Sequence, residues 1–170
     1  MNLVQEENFF PNLDLILPEI KKIKLYSGEE FQKIENPKAI WPGFRSRMLT
    51  KTNPILHEYI TSLIHYKKLL PKGVWEIASF IHLRLKEDEE KDWIHKDVTY
   101  FAALIYISNT NFNSGTYLYD DHKNLVNDIK FVNNRFIIYN GKYNHKAYGH
   151  HGDSIENGRL TINLFINKRD

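Results

Sequence analysis

No cysteine occurs in the 170 residues, which excludes a disulfide framework, thiolate zinc, iron–sulfur clusters and a cysteine nucleophile. Any metal must be held by His, Asp and Glu. An excess of one charge is also missing: 23 Lys and Arg face 21 Asp and Glu, a formal +2. The chain therefore exerts no strong pull on nucleic acid or an anionic membrane surface, and neither is expected as a partner. No apolar run approaches the ~18 residues of a membrane span, and Met1–Glu7 shows no basic stretch followed by an apolar one. A soluble, cytoplasmic protein is the expectation. No Ser/Gly linker, low-complexity tract or repeat divides residues 1–170, which read as a single domain. What the chain does hold is 42% hydrophobic and 14% aromatic residues, enough for a sizeable core and too much for a disordered chain.

The texture changes near residue 73. Residues 1–73 look helical and irregular, a support for the strands expected beyond them. Ser27-Gly28-Glu29-Glu30 has the form of a capping box and predicts a short helix through about Ile34, ended by Asn36-Pro37. Asn53-Pro54 reads as N-cap and first residue of a longer helix, with Leu56, Ile60 and Ile64 beside Ile55, Tyr59, Leu63 and Tyr66 on an apolar stripe. Pro71-Lys72-Gly73 stops it. From Val74 the period becomes two, and strands are expected over 74–85, 98–107, 116–119, 135–139 and 160–166. Many antiparallel strands without intervening helices predict a mainly β, α+β architecture: a barrel or two-sheet jelly roll over 74–170, with the N-terminal helices on one outer face.

His95-Lys96-Asp97 is a His-x-Asp pair. In extended chain residues i and i+2 point the same way, so imidazole and carboxylate could grip one ion. Alone the signal is weak, since roughly one such match arises by chance among eight histidines and 21 acids. Context strengthens it: the pair opens a strand, and a second His-rich segment begins at His145. Two His and one carboxylate can occupy one face of an octahedral iron and leave the other open. On the last strand Arg159, Thr161 and Asn163 share one face, and Leu160, Ile162, Leu164 and Ile166 the other. The polar face is either solvent-facing or the lining of a barrel, and a guanidinium inside a barrel would need an anionic partner, for which a carboxylate is suited.

These pieces, in order with Ser114-Gly115-Thr116-Tyr117-Leu118 and Asn134-Arg135-Phe136-Ile137-Ile138-Tyr139-Asn140-Gly141, resemble the Fe(II)- and 2-oxoglutarate-dependent dioxygenases, particularly the prolyl-4-hydroxylase-like branch. The resemblance runs from about Val74 to Ile166. It implies a double-stranded β-helix (cupin-like jelly roll), with His95, Asp97 and His145 as Fe(II) ligands and Arg159 pairing the distal carboxylate of 2-oxoglutarate. Thr161 and Tyr106 would support that carboxylate. O2 would be co-substrate, succinate and CO2 products, and a peptidyl or small molecule the hydroxylated substrate. Because halogenating relatives lack the carboxylate ligand, Asp97 favours hydroxylation. Arg159 follows His145 at a longer interval than in the prolyl-hydroxylase branch, and His150 or His151 could replace His145 as distal ligand. The alternative reading is a cupin-like metal-binding jelly roll with another reaction, or none.

Other features have plainer readings. His57 and His65 on the predicted helix are surface or packing residues. Trp41–Arg47, irregular and holding an aromatic pair with two guanidinium groups, reads as an ordinary surface loop or as one beside a barrel mouth that could contact substrate. His82 and Arg84 share a strand face and could line a cavity. The run 86–92 reads as a solvated turn, and the entrance is expected from the N-terminal segment and loops 108–114 and 120–128.

Overall fold

The structure is a computed structural model and describes residues 3–38 and 41–169. In chain order the elements are β1 (Leu3–Glu6), α1 (Leu13–Lys22), β2 (Leu25–Ser27), α2 (Gly28–Ile34), β3 (Phe44–Ser46), α3 (Leu49–Thr52), α4 (Pro54–Tyr66), β4 (Trp75–Arg84), a 3-10 helix (Lys86–Lys91), β5 (Phe101–Tyr106), β6 (Asn111–Tyr119), β7 (Leu125–Phe131), β8 (Phe136–Asn140), β9 (Asn144–Tyr148) and β10 (Arg159–Lys168). Both helix starts read from the sequence are present. Ser27 accepts from the Glu30 amide while the Glu30 carboxylate accepts from the Ser27 amide, and Asn53 caps α4 through the Leu56 amide.

Seven strands form one sheet in the order β1-β8-β5-β10-β4-β3-β2, and three form a second in the order β7-β6-β9; all pairings are antiparallel. Period-two alternation then decides what each face meets. Ile77, Ile81 and Leu83 of β4 and Leu160, Ile162, Leu164 and Ile166 of β10 point outward, where they pack with Leu13, Ile20, Leu49, Leu56, Ile60 and Ile64 of the helices. Each such side chain contributes about 1.5–3 kcal/mol on burial, so the helices are held by the oily face of the large sheet. Residues one step along the same strands point between the two sheets. There Ala102, Tyr106, Leu118, Ile129, Phe131, Ile137 and Tyr139 form a smaller core, and the remaining interior is a cavity.

The N-terminal part does more than support. Its β1, β2 and β3 are strands of the large sheet, where the sequence suggested helices and irregular chain; three- and four-residue strands are too short to show a period. Buried Asn134, in the β7–β8 turn, accepts from the Phe10 amide (2.9 Å) and donates to its carbonyl (2.8 Å), fixing this segment. The expected loops also shrink, because β6 begins at Asn111 and β7 starts at Leu125. On α4 the buried line is Leu56, Ile60 and Ile64, while Ile55 and Tyr66 are exposed, so the stripe is narrower than the sequence suggested. His57 Nδ1 lies 2.8 Å from the Ser79 hydroxyl, a packing contact. Among the described residues no helix is long and apolar enough to cross a membrane.

Candidate metal centre

A single β-bridge gathers the candidate ligands. The backbones of His95 and His145 exchange both hydrogen bonds, 3.1 Å from the His95 amide and 2.8 Å from the His145 amide. Residues so paired project their side chains to the same face, and the imidazole centroids are 4.3 Å apart. Asp97, two residues beyond His95, falls on that face too. Ligand atoms of His95, Asp97 and His145 all lie within 4.8 Å of one another. His150 and His151 are not in this group; His150 is bonded to Asp92.

Both rings are oriented from behind. His95 Nδ1 sits 3.0 Å from the Trp93 carbonyl and His145 Nδ1 3.2 Å from the Tyr143 carbonyl. An acceptor there fixes the proton on Nδ1 and leaves the Nε2 lone pair free. His145 is buried, which pushes its pKa down to about 4 against the opposing pull of Asp97, so near neutrality it is an unprotonated imidazole. Its Nε2 faces Asp97 Oδ2 at 3.5 Å. Two electron-rich atoms then confront each other without a proton between them, an arrangement that a cation relieves. The donor set, two imidazoles and one carboxylate with carbonyls behind them, fits a divalent transition metal.

Deeper in the barrel lies Arg159, 3% exposed. Its Nη2 donates to the Gly115 carbonyl (3.2 Å) and the Thr116 hydroxyl (3.4 Å), its Nε has no acceptor, and the guanidinium lies over Phe131 and Tyr106. No carboxylate pairs with it among the described residues. Burial lowers its pKa, yet a guanidinium stays charged, and an unpaired buried charge requires an anion. Tyr106 donates to Thr116 at 2.8 Å, so that hydroxyl joins the two. Thr161 is buried on the same strand face as Arg159, but its hydroxyl donates to Asn163 (2.7 Å) and the His82 carbonyl (3.4 Å). The hydroxyl beside Arg159 is that of Thr116, whose sequence signals are its place in the Ser114–Leu118 segment of the resemblance and opposite Tyr117 in the β6 alternation. At Gly115 a Cβ would stand 2.1 Å from the Ile129 carbonyl, so glycine alone lets β6 carry its carbonyl to Arg159.

The run 86–92 is solvated only in part: it is a 3-10 helix with Lys86, Glu87, Glu90 and Lys91 exposed but two of its acids buried. Asp88, buried, accepts from the Leu85 amide at 2.9 Å, and Asp92 pairs with Arg84 and with His150, all three buried. This cluster ties β4 and the His95–Asp97 segment to the loop after β9. Asp92→Ala would leave Arg84 buried without a counter-charge, and a loss of about 3–5 kcal/mol in urea unfolding is expected. His82 and His150 are held neutral by burial beside arginines, His82 well below the ordinary value and His150 down to about 3. A depressed folded-state pKa gives stability that is present above the unfolded value near 6.5 and lost as pH falls toward the folded one. The metal-free protein is therefore expected to lose up to about 1.4 kcal/mol per pH unit for each of these histidines below pH 6.5, read as a falling midpoint in urea titrations from pH 7 to 4.

The cavity holding these groups is lined also by Trp41, Arg45, Trp93, Asn163 and Phe165. Comparison with known proteins gives no matching family model and no matching curated sequence. Solved structures do match. An oxidoreductase of the 2OG-Fe(II) oxygenase family from Burkholderia pseudomallei is similar over 99% of this chain and 85% of its own, at 12% identity and TM-score 0.66. A Pseudomonas putida prolyl-4-hydroxylase is similar over 99% and 93%, at 11% identity and TM-score 0.67. HygX from Streptomyces hygroscopicus, solved with nickel and 2-oxoglutarate bound, is similar over 98% and 83%, at 11% identity and TM-score 0.59. Likeness at such identities is a likeness of fold: this chain has the double-stranded β-helix fold of the 2OG-Fe(II) oxygenases and prolyl 4-hydroxylases.

Proposed function

We propose that the chain is an Fe(II)- and 2-oxoglutarate-dependent oxygenase that hydroxylates a C–H bond of a peptidyl or small-molecule substrate. The observation that carries this is the confrontation of His145 Nε2 with Asp97 Oδ2 beside His95, in the same cavity as an arginine without a carboxylate partner among the described residues. His95, Asp97 and His145 would hold Fe(II), and 2-oxoglutarate would bind beside it with Arg159 at its far end. Bound together, iron and 2-oxoglutarate supply the activation of O2, with succinate and CO2 as co-products.

The chain's own residues do the rest. Arg159 would bind the distal carboxylate as a charge-assisted pair, with the Thr116 hydroxyl and, through it, Tyr106 beside it; Thr161 would support it from the same strand face with its hydroxyl held by Asn163. The Trp93 ring lies 5.6 Å from that of His95, at the side of the centre. The Trp93 and Tyr143 carbonyls hold both imidazoles in the ligating tautomer.

The test is anaerobic addition of Fe(II) and then 2-oxoglutarate to the purified protein. A visible charge-transfer band at one equivalent of each is the expected result, followed by succinate formation on admitting air. Iron binding without the band would sink the 2-oxoglutarate part, and no iron binding the whole reading.

A further inference from the structure

Trp41 and Arg45 read in the sequence as part of an ordinary surface loop or of one bordering a barrel mouth; in the structure Arg45 lies on β3, and both side chains line the metal-site cavity. The Arg45 guanidinium lies 4.0 Å from the Trp41 ring centroid, with Phe80 and Phe165 at 5.6 and 5.7 Å. Neither the Arg45 Nε nor the Trp41 Nε1, both shut off from water, has an acceptor among the described residues. Two orphaned donors thus stand together, one charged, in an aromatic frame that fixes the guanidinium plane. The Trp41 ring packs edge-on against buried Phe31, but no acceptor among the described residues takes up either donor. A packed wall would be cheaper with an apolar residue at this position.

The other arginines of the cavity are accounted for: Arg84 pairs with Asp92, and Arg159 is assigned above to 2-oxoglutarate. Arg45 stands apart from the latter. It is registered with His82 of β4, which is registered with Thr161 of β10, so two strand spacings, about 10 Å, separate its backbone from the strand of Arg159. Charge counting points the same way. A ferrous ion and Arg159 bring three positive charges, which Asp97 and 2-oxoglutarate cancel, and Arg45 is left over. Burial among the rings draws its pKa down to about 10 against the opposing pull of Asp97, and it is still charged at neutral pH.

We infer that the substrate is anionic, and that Arg45, with Trp41, binds its oxyanion (a carboxylate or a phosphate) while its target carbon lies at the metal. Arg45 is thereby a specificity residue, and the inference rests on the function proposed above for the charge count but not for the orphaned donors.

The test is calorimetric titration of the protein loaded with Mn(II) and 2-oxoglutarate, without O2, using three matched probes: N-acetyl-aspartate amide, N-acetyl-phosphoserine amide and N-acetyl-asparagine amide. At least one anionic probe is expected to bind about tenfold or more tighter than the neutral one. Which of the two does so identifies the oxyanion. Arg45→Gln should abolish the preference and Arg45→Lys retain part of it, with 2-oxoglutarate affinity changed less than about threefold in both. Equal binding of all three probes by the parent protein overturns the inference. So does a loss of 2-oxoglutarate affinity in Arg45→Gln as large as in Arg159→Met, which would make Arg45 part of the co-substrate site. A protein that takes up no metal or 2-oxoglutarate, but whose metal-free form prefers an anionic probe through Arg45, would sink the oxygenase reading and the placing of the target carbon at a metal, and leave only the anion site at Arg45 standing.

Discussion

Asp97→Ala and His145→Ala are each expected to lower metal affinity by more than about 100-fold, since loss of mere supporting partners already costs ligand sets 10–100-fold. The chelate band with 2-oxoglutarate should vanish with them. The expectation rests on one backbone bridge, His95 to His145, which brings both imidazoles and the carboxylate two residues on to a common point. His150→Ala is the discriminating control. His150 is buried against Asp92 and lies outside the ligand group, so its removal should weaken the fold while metal affinity stays within a few-fold of the parent. Equilibrium dialysis of the three variants checks this. A metal affinity that survives in His145→Ala and falls in His150→Ala would move the centre to the other end of the loop after β9.

Arg159→Met should produce two effects of opposite sign. Binding of 2-oxoglutarate is expected to weaken by about 2–5 kcal/mol, the usual cost of truncating one partner of a buried charge pair. That is a factor of about thirty to several thousand. The ligand-free protein, however, should be as stable as the parent or more so, because the variant replaces a 3% exposed guanidinium that has no carboxylate partner among the described residues by an apolar side chain of similar length. Calorimetry with 2-oxoglutarate and thermal unfolding without it read the two effects separately. A fall in melting temperature with unchanged 2-oxoglutarate affinity would make Arg159 a structural residue and remove it from the site.

Local signals carried part of the fold. The capping box at Ser27 and the Asn53-Pro54 start state their helices in four residues or fewer, and the alternation along β4 and β10 is long enough to count. Other elements left no such trace. The strand β9 reads Asn-His-Lys-Ala-Tyr, without an apolar alternation, and is extended because β6 and the His95 segment pair with it on either side. Helix α1 contains Pro18, which locally argues against a helix and is outweighed by the burial of Leu13 and Ile20. The acidic run after β4 looked solvated because charge usually is; Asp88 and Asp92 are buried because an amide and an arginine are there to meet them.

The order of residues alone determined that a metal, if any, would be held without thiolate, that His95 and Asp97 share a side, and that β10 turns an arginine and a threonine away from its oily face. These come from composition and from the two-residue period of extended chain, which are properties of neighbours. Only the tertiary structure decided that His145 rather than His150 faces Asp97, that Thr116 stands beside Arg159, and that Arg45 and Trp41 look into the same cavity. Those placements depend on register between strands far apart in sequence, and register is set by how whole faces bury, which no short stretch of residues contains.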